Sequence, residues 1–258
     1  MKNFLSLCLL LLLSVPASIA KDMKFAQITD VKYNEKNSEN IQKVVNEINK
    51  QKDIEFVVFT GDNISKPSKQ DLKAFLKQVK KLNCPFYVVI GDKDVNKRKD
   101  LSKLQYSKFI NKNVFGYKPK TPNYTFQKNG VVFVVLDGAK DVIPSTIGYY
   151  KEDAMIWLEN ILKEKQNKNV IIFQHFPVVP PFEKETYNTF KSEEYLQLIS
   201  RYKNVKAVIA GHYGVNSEKN VDGVVHISTA PVPTYRVIDL VDYETNNPTI
   251  WADVRIAE

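Results

Sequence analysis

The sequence has very little cysteine, with only Cys8 and Cys84 among its 258 residues. Cys8 lies in an apolar stretch at the start of the chain that has the composition of a removable leader. Once that leader is cleaved, Cys84 has no partner for an intrachain disulfide. A disulfide-stabilised fold is therefore excluded, and we expect a packed hydrophobic core to hold the structure together.

Long hydrophobic runs are also scarce. The one run, from Phe4 to Val15, is too short to cross a bilayer as a helix. Lys2 precedes it and small residues follow it as far as Ala20, a pattern typical of a secretory signal peptide. We therefore predict a signal peptide over residues 1–20 and an exported protein, periplasmic or extracellular, without a transmembrane anchor. Residues 21–258 are predicted to form a single domain.

Arginine is the third scarcity. The chain contains 33 lysines but 4 arginines and has a net charge of +8. Nucleic-acid-binding surfaces combine clustered arginines with interleaved aromatic residues, and that pattern is missing here. The sequence argues against a nucleic acid duplex as partner. An anionic, phosphate-containing substrate remains compatible with the charge, as does a protein partner.

Strand and helix patterns alternate in the first hundred residues. Strands are predicted at Lys24–Thr29, Phe56–Thr60 and Phe86–Ile90, where β-branched and aromatic residues dominate. Two amphipathic helices connect them, the second capped by Ser68. Their apolar stripes comprise Ile41, Val44, Val45, Ile48, Leu72, Phe75, Leu76 and Val79. This alternation predicts an α/β fold with parallel strands and right-handed crossovers.

The second half of the chain continues with further strands and helices. A hairpin is predicted at Lys128-Asn129-Gly130, followed by a helix over Glu152–Lys165 that buries Trp157, Leu158, Ile161 and Leu162. A second helix is predicted near Ser192–Tyr202. The remaining predicted strands are Val170–Phe173, Ala207–Ala210 and three more between Val224 and Val254.

Five predicted strands end in turns that carry a carboxylate or an imidazole: Asp30, Asp62, Asp92, His175 and His212. Strand ends of an open α/β sheet gather at one edge, where such folds bind ligands. Three carboxylates placed together would repel one another unless a cation lay among them. Oxygen and imidazole ligands suit a first-row divalent ion such as Mn, Fe or Zn. Singly, each residue would be an ordinary turn or core residue, but together they predict a metal centre.

These turns resemble a known set of motifs. Asp30-x-Lys32, Gly61-Asp62, Gly91-Asp92-Lys93-Asp94, His175-x-Pro177 and Gly211-His212-x-Gly214 are similar in order and spacing to the calcineurin-like metallophosphoesterases. The stretch from Gly148 to Leu162 is also similar to exported and cyclic-nucleotide-type members. The resemblance implies a four-layer α/β/β/α sandwich with two mixed sheets. It also implies a two-metal site at the sheet edges, with Lys93, Asp94 and Lys32 as candidate catalytic residues.

Four positions depart from the family pattern. Lys32 and Gly214 stand where the family has histidine ligands, Asp92 replaces a metal-binding asparagine, and Lys93 replaces the catalytic histidine. By this resemblance one metal position keeps only Asp30 and Asp62. The other keeps a ligand at every position, namely Asp62, Asp92, His175 and His212. We therefore expect one divalent ion rather than two, and reduced hydrolysis of a phosphomonoester or phosphodiester.

Lys32 follows Asp30 by two residues, and residues i and i+2 of a strand face the same way. Its ammonium is predicted to reach between Asp30 and Asp62 as a counter-ion in place of the lost metal. Two other interpretations remain open. In the first, the protein is an inactive pseudophosphoesterase that binds a ligand or a protein. In the second, it is a surface module with a structural metal.

Overall fold

The computed structural model describes residues 21–34, 38–99, 101–114, 119 and 121–258. The predicted signal peptide, with Cys8, lies outside these residues. The first of two large mixed sheets has the spatial order β13 (Thr249–Ile256), β12 (Thr234–Val241), β1 (Met23–Ile28), β2 (Ile54–Thr60) and β3 (Phe86–Val89). The central strands β1, β2 and β3 are parallel, whereas β12 and β13 run antiparallel to their neighbours.

The second sheet has six strands. Their order is β10 (Ser217–Val221), β11 (Val224–Ser228), β9 (Val205–Ala210), β7 (Val170–Phe173), β5 (Val131–Val135) and β4 (Tyr124–Lys128). β11, β9, β7 and β5 are parallel, and the two edge strands are antiparallel. A separate parallel pair joins β6 (Gly148–Tyr149) to β8 (Thr189–Phe190).

Helices cover the outer faces of both sheets. They are α1 (Ser38–Lys50), α2 (Lys69–Val79), α3 (Lys103–Asn113), α4 (Glu152–Glu164) and α5 (Ser192–Ser200). The buried stripes of α1 and α2 pack on the first sheet, and those of α4 and α5 pack on the second. This is the predicted four-layer α/β/β/α sandwich. No helix in the described ranges has the length and apolar character that crossing a membrane requires.

Aromatic rings fill the space between the two sheets. Phe25 and Phe56 of the first sheet stack with ring centroids 4.8 Å apart, and Phe133 and Phe173 of the second stack at 5.6 Å. Phe56 meets Phe133 edge to face at 5.0 Å. All four rings are buried, and such pairs add about 0.5–1.5 kcal/mol each beyond their buried area. The ends of these strands are therefore supported by a close-packed aromatic core.

A buried polar network joins the sheets near the carboxyl ends of the strands. Gln27 donates through Nε2 to Thr60 Oγ1 and to the Ala210 carbonyl, both at 2.8 Å, and its Oε1 accepts from Thr229 Oγ1 at 2.5 Å. Arg236, which is also buried, donates through Nε to the same Thr229 oxygen at 3.1 Å. Because these partners lie on both sheets, the network sets the spacing between the two sets of strand ends.

The sequence predictions fail at weakly patterned elements. β10 was missed because it is a mostly exposed edge strand with almost no apolar residues, and β6 and β8 are too short to show alternation. Trp157 and Ile161 are only half buried, since α4 turns Ala154, Leu158 and Leu162 toward the sheet.

His226 lies in β11, is buried, and makes no hydrogen bond through Nε2. Burial without a partner lowers its pKa to about 4. Below pH 6.5 this imidazole is therefore protonated in the unfolded chain, whereas in the folded protein it becomes protonated only near pH 4. Stability is lost as the pH falls through this window, by about 3 kcal/mol for this residue.

We expect His226→Leu to remove this part of the acid destabilisation. Urea unfolding at pH 7 and pH 4 measures it, and the wild type should lose about 3 kcal/mol more than the variant between the two pH values. Equal losses in both proteins would contradict the assignment. The other acid-sensitive groups are common to both and cancel in the comparison.

Candidate metal centre

The strand ends of both sheets meet at one edge of the sandwich. Asp30 follows β1, Asp62 follows β2, Asp92 follows β3, His175 follows β7 and His212 follows β9. All five side chains are buried. Two groups of them present ligand atoms close enough together to share an ion, Asp92 with both histidines and His175 with Asp30 and Asp62. The structure thus brings together the five residues that the sequence singled out.

The orientation of His175 is fixed by a backbone carbonyl. Its Nδ1 lies 2.8 Å from the carbonyl oxygen of Thr60. Because a carbonyl oxygen can only accept a hydrogen bond, Nδ1 carries a proton. The second ring nitrogen, Nε2, is the one that faces the site. His175 Nε2 points at the carboxylates, 3.5 Å from Asp62 Oδ1 and 3.4 Å from Asp92 Oδ1.

His212 is held in the same manner. Its Nε2 lies 2.8 Å from the carbonyl oxygen of Thr146, so this nitrogen carries the proton. Its Nδ1 faces the site, 3.2 Å from His175 Nε2 and 3.4 Å from Asp92 Oδ1. The rings of Phe176 and Tyr187 pack against the imidazole with centroids 4.7 and 4.6 Å away.

Three ligand atoms therefore converge, Asp92 Oδ1, His175 Nε2 and His212 Nδ1, and Asp62 Oδ1 lies 3.5 Å from His175 Nε2. The three converging atoms lie 3.2–3.4 Å from one another, and Asp92 Oδ1 is buried without a normal hydrogen bond. Ligands about 2.1 Å from a tetrahedral ion would lie about 3.4 Å from one another. Histidines that ligate metals commonly donate their second nitrogen to a backbone carbonyl, as both do here. These residues fit a divalent ion.

At the other position Lys32 lies beside the carboxylates. Its Nζ is 2.9 Å from Asp30 Oδ1 and 3.7 Å from Asp62 Oδ2, so the ammonium does reach between them. The reason given for that reach was wrong. Asp30 and Lys32, which follow β1, have φ angles of 50° and 43°, and Asp62, which follows β2, has a φ of 52°. These residues have left-handed backbone beyond the strands, so the alternation of side chains along a strand does not apply to them.

Lys93 contacts the other carboxylate. Its Nζ lies 2.5 Å from Asp92 Oδ2, and its backbone N–H donates to Asp62 Oδ1 at 2.8 Å. The side chains of Lys32 and Lys93 remain 42% and 43% exposed, whereas the carboxylates beneath them are buried. Two ammonium groups thus form the solvent side of the site, where an anion would approach.

Asp94, which was predicted to be catalytic, is held by backbone and side-chain donors in the structure. It is fully buried, with Oδ1 accepting from the Ile64 amide at 3.0 Å. Its Oδ2 accepts from the Gly91 amide at 2.8 Å and from Asn63 Nδ2 at 3.1 Å. Its side chain is therefore not exposed to solvent. Asp94 instead shapes the turn that presents Asp92 and Lys93.

The packed charges perturb one another. Burial opposes a charge on His175, but Asp62, Asp92 and Asp30 outweigh it and raise the pKa of the imidazole to about 10. Burial, with repulsion from Asp30 and Asp92, raises the pKa of Asp62 to about 6. Burial, with repulsion from His175, lowers the pKa of His212. A cation in the pocket would relieve the repulsion of Asp62 by the neighbouring carboxylates.

Sequence reasoning missed the groups that orient the ligands. The carbonyls of Thr60 and Thr146 fix both imidazoles, but a backbone carbonyl leaves no residue-specific signature. Tyr187, whose ring packs on His212, lies in a loop, where no periodic pattern predicts such a contact. Gly214, at the position of the family's last histidine, offers no side chain and has a φ of +74°.

Comparison with known proteins decides the family. Residues 23–215 match the family model of the calcineurin-like phosphoesterases. The chain belongs to this family. The family uses divalent metals, in accord with the ligand groups found here.

Curated relatives are distant. A probable glycerophosphodiester phosphodiesterase GpdQ of Arcobacter nitrofigilis is 25% identical over 186 residues, which is 71% of this chain and 64% of that protein. This chain therefore spans less than two thirds of that relative's length. A probable cyclic nucleotide phosphodiesterase of Coxiella burnetii is 25% identical over 230 residues, covering 83% of this chain and 85% of the relative.

Solved structures share the fold. A dimetal phosphatase from Danio rerio superposes with a TM-score of 0.67 at 15% identity, over 92% of this chain and 99% of that one. GAP50, the anchor in the inner membrane complex of Plasmodium, superposes with a TM-score of 0.59 at 13% identity, over 92% of this chain and 89% of its own. At such identities the likeness concerns the fold alone.

Proposed function

We propose that this protein is an exported phosphoesterase that hydrolyses a phosphomonoester or phosphodiester at a site with one divalent ion. The observation that carries the proposal is the convergence of two imidazole nitrogens with Asp92 Oδ1 at 3.2–3.4 Å, beside Asp62 Oδ1 at 3.5 Å from His175 Nε2. Membership of the calcineurin-like phosphoesterases and the phosphodiesterase descriptions of its relatives support the reaction class.

Asp62, Asp92, His175 and His212 would hold the ion. When bound, a divalent ion polarises a phosphoryl oxygen and activates water for attack. The carbonyls of Thr60 and Thr146 keep the two imidazoles in the tautomers that ligation needs. Mn, Fe and Zn all suit this ligand set.

Lys32 and Lys93 would orient the substrate. Burial opposes their charge, but the neighbouring carboxylates outweigh it and raise the pKa of both ammonium groups. They therefore stay protonated at neutral pH and act as cations toward phosphate oxygens, not as proton donors. A single charge from Lys32 replaces a divalent ion between Asp30 and Asp62. We expect this to cost about 4 kcal/mol of transition-state stabilisation, roughly a thousandfold in rate.

A second candidate is a pseudophosphoesterase that binds a ligand or protein without turnover. The ammonium groups of Lys32 and Lys93 favour it, because they already neutralise the carboxylates that a two-ion mechanism would need. A protein of this fold is described as an anchor in Plasmodium, so the fold also serves binding.

Metal content and turnover together test the proposal. We expect the purified protein to bind one Mn, Fe or Zn per chain and to hydrolyse bis(p-nitrophenyl) phosphate slowly. His175→Ala should abolish both, because it removes the nitrogen that faces both carboxylates. His226→Gln changes a histidine outside the site and serves as the matched control. Metal without turnover would support the binding module, and absence of both would refute the metal centre.

A further inference from the structure

The edge strand β13 leaves one side of the first sheet unpaired. In the described part of the chain β13 pairs only with β12. It is eight residues long and runs in regular register along its whole length. Strands of this kind offer a row of backbone donors and acceptors to another strand.

The side chains of β13 are apolar for an exposed edge. Ile250 and Ala252 pack against the inter-sheet core, and Val254 and Ile256 continue the same face beyond it. Val254 is 44% and Ile256 68% exposed. On the opposite face Trp251 is 62% exposed. Such a patch on a regular edge strand is typical of a surface that pairs with another chain.

The charged residues of β13 indicate which kind of strand can pair with it. Asp253 and Arg255 lie on one face, with Arg255 Nη2 3.9 Å from Asp253 Oδ2 in the same chain. If two copies of β13 pair antiparallel about a two-fold axis that continues the sheet, residues of equal parity face each other. An axis through Val254 then places Asp253 of each copy opposite Arg255 of the other. Opposite charges in such cross-strand pairs are stabilising.

Neighbouring registers are worse. An axis through Asp253 would set the two Asp253 side chains against each other, and an axis through Arg255 would do the same for arginine. Like charges directly opposite are destabilising. The axis through Val254 also buries two valines at the centre and sets Ile256 against Ala252. An axis through Ala252 avoids like charges but sets Asp253 against Trp251, so among these registers only the axis through Val254 forms opposite-charge pairs.

We propose that β13 is the interface through which two copies of this chain form a two-fold dimer, centred on Val254, that joins their five-stranded sheets edge to edge. The partner is a second copy because the charge pattern of β13 complements itself. The metal centre lies at the strand ends, so dimer formation is independent of the proposed hydrolysis.

Charge reversal on β13 tests the dimer and its register. Size-exclusion chromatography with light scattering should give twice the mass of one chain for the wild type. Asp253→Arg alone and Arg255→Asp alone should each give the monomer mass, because they set like charges opposite. The double variant Asp253→Arg with Arg255→Asp restores both pairs and should recover the dimer.

Glu193→Arg reverses an exposed charge on α5 and is the matched control, which should remain dimeric. Circular dichroism and thermal melting establish that each variant is folded. A monomeric wild type at micromolar concentration would overturn the proposal. Dimeric single variants, or a folded double variant that stays monomeric, would overturn the Val254 register.

Discussion

Restoring the family's residues at Lys32, Asp92, Lys93 and Gly214 should raise phosphodiester turnover about a thousandfold. The quadruple variant carries Lys32→His, Asp92→Asn, Lys93→His and Gly214→His. Two histidines would complete the position that now keeps only Asp30 and Asp62, and removing the ammonium of Lys32 frees both carboxylates. The measurements are turnover of bis(p-nitrophenyl) phosphate and metal content, which should rise from one ion to two.

The local backbone can accept these changes. Lys32 already has a φ of 43°, and histidine is among the residues enriched in left-handed backbone. A Cβ added at Gly214 meets nothing within 4 Å, although its φ of +74° imposes a cost of about 1–3 kcal/mol on any side chain. This cost lowers the free energy of unfolding and leaves the transition state unaffected, so a variant that folds should show the full gain in turnover.

Lys32→Ala alone removes the counter-ion charge of Lys32 without introducing a new metal ligand. Without the ammonium, Asp30 and Asp62 lose their counter-ion, and the protein should either lose stability or bind a second ion. A variant with unchanged stability and metal content would refute the counter-ion role. A quadruple variant that binds two ions and remains inert would show that the substrate cleft, and not the missing ion, limits turnover.

Gly211→Ala should destabilise the protein by about 3 kcal/mol or more and abolish metal binding. A Cβ at Gly211 would overlap Thr29 Oγ1 and lie 2.8 Å from Asp30 Oδ2. Thr29 is fully buried and cannot move aside freely. The same Asp30 oxygen accepts the His212 amide at 2.9 Å, so the clash would also displace a ligand.

Gly214→Ala is the matched control because it adds the same methyl three residues further on, where nothing lies within 4 Å. Its left-handed backbone should cost only about 1 kcal/mol, with metal content unchanged. Urea unfolding and metal analysis of both variants provide the comparison. Equal losses would mean that backbone conformation, and not the contact between the two sheets, makes glycine necessary at 211.

The sequence predicted much of the site because each ligand follows a strongly apolar strand. Asp62 after β2 and His175 after β7 could be placed at a sheet edge without any tertiary information, since parallel strands share the direction of their ends. The helical stripes of α1 and α2 were equally readable, and the structure confirms them residue by residue. Weak patterns failed, as in the exposed edge strand β10.

Two features of the site depend on contacts between segments that are distant in the chain. Lys32 was assigned to extended strand, although its left-handed φ can be sustained only by hydrogen bonds to the neighbouring turn, such as its amide to the Asp62 carbonyl at 2.7 Å. Asp94 was taken as catalytic because its motif is catalytic in the family. Its burial depends on Ile64 and Asn63, about thirty residues earlier in the chain. Neither contact can be inferred from local spacing.

By itself, the sequence determined the α/β architecture and the five residues that end its strands, because periodicity and strand direction are local properties of the chain. Only the tertiary structure decided which nitrogen of each imidazole faces the carboxylates, that Asp94 is buried, and which lysine neutralises which aspartate. The imidazoles are oriented by the carbonyls of Thr60 and Thr146, and Asp94 is held by Asn63 and Ile64, all of them distant in the chain. The lysine contacts depend on the conformation of the turns that carry Lys32 and Lys93, which periodicity does not predict.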